Sequence, residues 1–247
     1  MARFGQRLGA TPSSPVGGSI GPHRTWAHSR APFDDVRLIR KSLGGTVNDV
    51  VLAAVTRGLR DVLLAHGDDP GDAQLRTLVP VSVRRTDAGE EGGNQVAAIL
   101  YELPVGVDDP VARLELVSQQ MADLKGSHVP EASSSLVSVA ELIPPMLMGS
   151  ATRTLMRYFR DRPQTSVTTV TTNVPGPQFP LFCLGREMLE HRPYVPISHG
   201  LRIGTAVLSY NGWLCFGITG DRSTADDVDV VARGIIAGLD ELVAAAR

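Results

Sequence analysis

The stretch Ser166–Pro177, which reads Ser-Val-Thr-Thr-Val-Thr-Thr-Asn-Val-Pro-Gly-Pro, constrains the fold more than any other part of the chain. Eight of its first nine residues are β-branched or hydroxylated, which suits a pleated, buried strand and disfavours a helix. The strand must stop at Pro175, which sets φ for the first corner of a turn. Gly176 then supplies the positive φ that a type II turn takes at its second corner. Asn173 sits just before the turn, where a short amide bonds the local backbone or faces a ligand. Taken alone, the segment is a core strand with a Pro-Gly turn.

Such a strand needs neighbours, and the sequence supplies them on both sides. Upstream, a strand is expected near Arg24–Ala27, then a short helix capped by Asp34 or Asp35 and running to Ser42, with Val36, Ile39 and Leu43 inward. Gly44-Gly45 stops it. Thr46 and Asp49, three residues apart, form a capping box with Asp in the usual Glu position, and a wide apolar stripe runs from Val47 to about His66. Strands follow at 75–83 and 94–103, joined by a Gly-rich acidic loop, and Asp109-Pro110 opens an amphipathic helix to about Lys125. Two further helices are expected at 130–143 and 145–160. Downstream, strands are expected at 186–194, 201–210 and 213–219, the last two joined by Asn211-Gly212, the strongest hairpin signal in the chain. A helix from Ala225 to Ala245 closes the pattern. The fold class is α+β, a mixed sheet flanked by helices. Residues 1–22, rich in Gly, Pro, Ser and Thr, read as a linker-like, poorly ordered start, and 23–247 as one domain.

Composition excludes several classes. With 43% apolar and 20% charged residues the chain can bury a sizeable core. A net charge of −2, without any basic block interleaved with aromatics, leaves no nucleic-acid footprint. Cys183 and Cys215 lack metal spacing and sit among apolar residues, so both are expected buried and reduced, as in a cytosolic protein. No secretory h-region follows Arg3 and Arg7, and no run reaches the roughly 20 apolar residues of a spanning helix. The nearest approach, 135–151, is interrupted by Glu141 and Pro144-Pro145, which leaves contact with a membrane surface open.

Self-contained catalytic machinery is not legible. There is no Walker loop, dinucleotide fingerprint or H-E-x-x-H, and none of the six histidines pairs at metal spacing. His199 stands apart, immediately before an apolar strand. Four segments, however, occur in an informative order: Thr46–Ala54, Pro80–Arg84, Thr172–Pro177 and His199-Gly-Leu with Ser209–Gly212. Together they resemble the C-terminal half of bacterial wax ester synthase/diacylglycerol acyltransferases, over about residues 20–245.

That resemblance implies a chloramphenicol-acetyltransferase-like domain and acyl transfer from acyl-CoA, a co-substrate, to diacylglycerol or a long-chain alcohol, with no other cofactor and no metal. It implies active-site support from Asn48 and Asp49, and a groove lined by Asn173, Pro175, Gly176, His199 and Arg202. The family's catalytic His-His-x-x-x-Asp-Gly motif has no counterpart here, so the chain reads as a fragment or split half that needs a separate N-terminal half, or self-associates. The setting implied is cytoplasmic, peripheral at a membrane or lipid droplet. The alternative is a non-catalytic lipid- or acyl-CoA-binding module that keeps the groove. A plainer one is an α+β domain whose apolar stripes are only core.

Overall fold

A computed structural model describes residues 14–82, 96–126, 167–198 and 200–247. In chain order the elements are β1 (Gly17–Gly18), β2 (Arg24–Pro32), α1 (Phe33–Leu43), α2 (Val47–Ala65), β3 (Leu75–Ser82), β4 (Val96–Leu103) and α3 (Pro110–Gly126). Then come β5 (Thr169–Val174), β6 (Phe182–Cys183), β7 (Arg186–Glu187), β8 (Gly200–Leu201), β9 (Ile203–Tyr210), β10 (Trp213–Asp221) and α4 (Val228–Ala246). The helices expected at 130–143 and 145–160 lie outside the described residues.

Six strands form the main sheet in the order β2-β10-β9-β5-β3-β4. Its flanks are antiparallel, while β5 pairs parallel with both β9 and β3. The opening stretch is therefore an interior strand, buried where its β-branched residues serve best. The fold class expected from sequence, a mixed sheet with flanking helices, is what the structure shows.

One face of the sheet carries the helices. Leu214, Phe216 and Ile218 of β10, with Val207 and Ala27, point to a core shared with Val50, Leu59, Val231 and Ile235 of α2 and α4. The two helices approach closely because glycine stands where they cross. A methyl on Gly58 would lie 2.6 Å from the Val231 carbonyl oxygen, and one on Gly234 would lie 2.6 Å from the Gly58 Cα. Charges brace the far ends: Glu241 of α4 accepts from Arg57 of α2 and from fully buried Arg113 of α3, both at 3.1 Å.

The opposite face of β9 and β10 is covered by irregular chain. Val195 and Ile197 press on Gly204, and the Pro193 carbonyl sits where a Gly217 side chain would begin. Here the structure corrects the expected strand at 186–194. Only Arg186–Glu187 is extended in a ladder, with Phe182–Cys183, and Pro193 and Pro196 suit the remainder to lying across the sheet rather than pairing within it. Cys215 is buried as expected, but Cys183 lies on the exposed hairpin, because its apolar neighbours are exposed too. At the start, β2 runs on to Pro32, and α1 begins without a side-chain cap, with Asp34 and Asp35 in its first turn.

Residues 14–22 do not trail away from this body. β1 pairs with β8, Val16 is fully buried, and the Gly21 amide donates to Asp221 at 2.8 Å. Asp221, with no exposed surface, also accepts from Arg24, Thr224 and the Ser223 amide. Burial alone would raise its pKa, but bonds from Thr224, Gly21 and Ser223 and the Arg24 charge outweigh that and hold the carboxyl below the usual range.

A carboxyl depressed on folding stabilises above its unfolded pKa of about 3.9, and the contribution is lost as pH falls through the lower folded value. Asp221→Asn is therefore expected to lower the melting temperature near neutral pH and to reduce the loss of stability on acidification below about pH 4. Thermal melts of both proteins from pH 2 to 7 measure this; parallel profiles would contradict it.

Candidate functional site

Three of the four motif segments meet at one rim of the sheet. Strands β3, β5 and β9 are mutually parallel along β5, so Val81-Ser82, Val174 and Tyr210 all finish at the same edge. Helix α2 returns in the opposite sense: Leu63, near its end, lies beside Ala73 and Gln74 ahead of β3, and Arg60 donates to the Val105 carbonyl just past β4. Its first turn, with Asn48 and Asp49, is thereby directed toward the rim where the parallel strands end. In open sheets such carboxyl edges are where ligands bind.

The α2 turn is rigid for local reasons. Gly44 and Gly45, at φ +86° and +79°, reverse the chain, and a methyl on Gly45 would meet Ser118 Oγ at 2.8 Å. Thr46 then closes the capping box: the Asp49 amide donates to Thr46 Oγ1 at 3.3 Å, and the Thr46 amide to Asp49 Oδ2 at 2.8 Å. Asp49 is buried and its Oδ1 has no hydrogen-bond partner. Asn48, one residue earlier, is half-buried, and among the described residues its side-chain amide makes no hydrogen bond.

Strand β5 approaches the rim with an unusual inner face. Thr169, Thr171 and Asn173 point to the helix side, level with Ile203, Thr205 and Val207 of β9. Thr171 accepts from the Thr77 hydroxyl at 3.0 Å, and Thr169 donates to the Ile203 carbonyl at 2.7 Å. Asn173 ends this polar row, half-buried, and among the described residues its side-chain amide makes no hydrogen bond.

Beyond it, the Pro-Gly turn is anchored to another motif segment. The Gly176 amide donates to Ser209 Oγ at 3.2 Å, and Gln178 Nε2 donates to the same oxygen at 3.0 Å. Gln178 Oε1 accepts from the Gly212 amide and the Pro177 carbonyl from the Asn211 amide. The expected role of Gly176 is corrected here. Its φ is not positive; glycine is required because a Cβ would lie 2.2 Å from the Ser209 carbonyl oxygen. Gln178 was not singled out in the sequence, where a lone exposed Gln after Pro177 carries no signal. Asn211-Gly212 does form the tight hairpin expected, both residues at positive φ.

Not every candidate joins this rim. Arg202 precedes β9, at the other end of the sheet, and its guanidinium donates to the Ser14 and Ser19 carbonyls. His199 lies outside the described residues. Pro175 is exposed at the turn itself.

Next to the rim the surface is strongly apolar. Phe179, Phe182, Leu189 and Tyr194 are exposed, and Leu184 at the β6–β7 tip is 99% exposed. The hairpin base is nonetheless fixed: Tyr210 Oη accepts from the Leu181 amide at 2.8 Å and donates to the Met188 carbonyl at 2.7 Å.

The profile of the WS/DGAT C-terminal domain matches residues 92–243. The chain belongs to this family. It is 37% identical over 235 residues to a putative diacylglycerol O-acyltransferase of Mycobacterium bovis, covering 95% of this chain and 50% of that one, and the same figures hold for a probable diacylglycerol O-acyltransferase of Mycobacterium tuberculosis. It thus spans about half the length of the curated relatives it matches. Among solved structures, the wax ester synthase/diacylglycerol acyltransferase of Marinobacter aquaeolei superposes with a TM-score of 0.71 at 24% identity, covering 96% of this chain and 52% of that one. The epimerization domain of tyrocidine synthetase B superposes at 0.61 with 9% identity, over 100% of this chain and 55% of that one. The WS/DGAT C-terminal domain therefore has the chloramphenicol-acetyltransferase-like, condensation-type fold expected from the resemblance.

If Gly176 is needed for close approach rather than for its φ, Gly176→Ala must displace the Ser209 carbonyl. A loss of about 1–3 kcal/mol is expected, read by denaturant unfolding, with faster amide exchange at Asn211 and Gly212.

Proposed function

We propose that this WS/DGAT C-terminal domain forms one wall of an acyl-CoA groove in an O-acyltransferase that esterifies diacylglycerol or a long-chain alcohol. What supports this reading is that β3, β5 and β9 end at one rim, where the Pro175-Gly176 turn after Asn173 is bonded to Ser209, and that α2 points its first turn, with Asn48 and Asp49, the same way. Among the described residues the side-chain amides of Asn48 and Asn173 make no hydrogen bond. Those amides offer both donors and acceptors to a thioester, a glycerol backbone or a pantetheine arm. In this reading His199 also serves the groove, and Arg202 acts at the opposite end of β9 by holding residues 14–19 in place. Acyl-CoA is the co-substrate, and no prosthetic group is called for.

In this reading the wall does not supply the base: Asp49 caps the α2 turn and His199 lines the groove. Deprotonation of the acceptor hydroxyl falls to the His-His-x-x-x-Asp-Gly half, in the same assembly or in trans. Relatives twice as long support that division of labour. The exposed β6–β7 hairpin is the docking element for that half, since its apolar residues adjoin the rim and a hairpin of two-residue strands gains stability by being covered. Among the described residues no helix is long and apolar enough to cross a membrane. The setting proposed is cytoplasmic, with peripheral contact at a membrane or lipid-droplet surface.

Purified alone, the chain is expected to release no thiol from palmitoyl-CoA in the presence of hexadecanol or dioleoylglycerol, because the missing base is worth about 10²–10⁴ in rate. Co-expressed with the His-His-x-x-x-Asp-Gly half of a mycobacterial relative, it should form ester, and Asn173→Ala should reduce the rate about tenfold, the worth of one hydrogen bond of about 1.4 kcal/mol. Thiol release by the lone chain that survives His199→Ala would defeat this reading. Tight acyl-CoA binding with no ester from the co-expressed pair would favour the non-catalytic module instead.

The uncovered hairpin also makes the lone chain adhesive. Concentration-dependent association is expected by analytical ultracentrifugation, and Phe182→Asp with Leu184→Asp should shift the species toward monomer. A monomer at all concentrations before substitution would count against the hairpin as an uncovered interface.

A further inference from the structure

Gln178 follows the Pro-Gly turn and is exposed, yet the protein itself occupies its carboxamide. Nε2 donates to the Gly176 carbonyl at 3.1 Å and to Ser209 Oγ at 3.0 Å, and Oε1 accepts from the Gly212 amide at 3.2 Å. An exposed glutamine ordinarily keeps its rotamer freedom and bonds water. Here both donors and the oxygen are taken, and the orientation is unambiguous, since the Gly176 carbonyl requires the nitrogen and the Gly212 amide the oxygen.

The partners belong to both turns of the rim. Two bonds join these turns without Gln178: the Asn211 amide donates to the Pro177 carbonyl at 3.0 Å, and the Gly176 amide to Ser209 Oγ at 3.2 Å. Gln178 adds three more, one of them to Gly212, so that both residues of the hairpin turn are tied to the chain after β5. Ser209 Oγ thereby accepts twice, which uses both of its lone pairs. Asn173 stands opposite Val207 in the last rungs of the β5–β9 ladder, with only Val174 between it and Pro175. What holds the turn therefore holds the strand end that carries Asn173.

We propose that Gln178 is a positioning residue: its carboxamide fixes the turn after β5 against the β9–β10 hairpin, and so fixes the direction in which the Asn173 amide meets acyl-CoA or the acceptor. This rests on the acyltransferase reading of the rim. Gln178 touches no reacting atom and acts through Asn173. Few side chains could replace it. Glutamate has the same size but sets an oxygen against the Gly176 carbonyl, and asparagine is one methylene short.

The test has two arms. In the full chain alone, Gln178→Ala and Gln178→Glu are compared with the parent protein by NMR. Both should displace the side-chain amide resonances of Asn173 and speed exchange of the Gly212 amide about tenfold. Asn173 resonances that stay in place in both variants overturn the proposal. In the ester-forming pair, Gln178→Ala should lower kcat about fivefold to tenfold and leave KM within about twofold. The double variant Gln178→Ala/Asn173→Ala should show little more than the loss of Asn173→Ala alone, because one residue acts through the other. Losses that multiply, or a kcat untouched by Gln178→Ala, overturn the proposal and leave the acyltransferase reading standing. A parent pair that forms no ester defeats that reading instead, and the Asn173 resonances then decide whether Gln178 positions the amide.

Discussion

The close crossing of α2 and α4 sets everything else. Glycine inside a helix costs about 0.5–1 kcal/mol relative to alanine, and Gly58, Gly234 and Gly238 all sit inside these two helices. What offsets that cost is backbone contact: Gly58 lies against the Val231 carbonyl, and Gly238 meets Arg57 and Ala54 of α2. At that separation the apolar residues on both sides of the crossing join one buried cluster, and dispersion is gained along the contact. Because α2 is fixed along its length, its first turn is fixed too. The position of Asn48 and Asp49 is thus decided by residues on the other side of the helix.

The rim itself depends on hydrogen bonds that skip across the chain. Gly176 and Gln178 reach Ser209 and Gly212 more than thirty positions away. Neither segment is a regular element at that point, so a loop on its own would sample many conformations. Joined, the turn after β5 and the turn after β9 restrain one another. The polar inner face of β5, with Thr169 and Thr171 satisfied by neighbours and Asn173 left over, brings one uncommitted amide to the end of an otherwise paired row.

Legibility in the sequence follows the range of the interaction. The capping box, the Asn211-Gly212 hairpin and the strand character of 169–174 rest on contacts a few residues apart, and each is where the pattern put it. A strand is expected at 186–194, yet β9 and β10 already have partners on both edges, and the segment lies over their face instead. The reason for Gly176 is steric and nonlocal, so local turn rules named the residue but not its cause. Cys183 was misjudged because apolar neighbours usually mean burial, and here they line an exposed hairpin. Arg202 illustrates the same limit: sequence proximity to His199-Gly could not show that its guanidinium is bound to the carbonyls of residues 14 and 19. The family resemblance rests on motif segments far apart in the sequence, and only topology shows which of them share an edge.

Tyr210 has a consequence beyond packing. It lies between Ser209, which holds the Gly176 turn, and Asn211, whose amide donates to the Pro177 carbonyl, while its own hydroxyl clasps both feet of the β6–β7 hairpin. The apolar tip and the rim thus share one anchor: whatever loosens Tyr210 frees both feet of the hairpin and the strand end that holds the Gly176 turn.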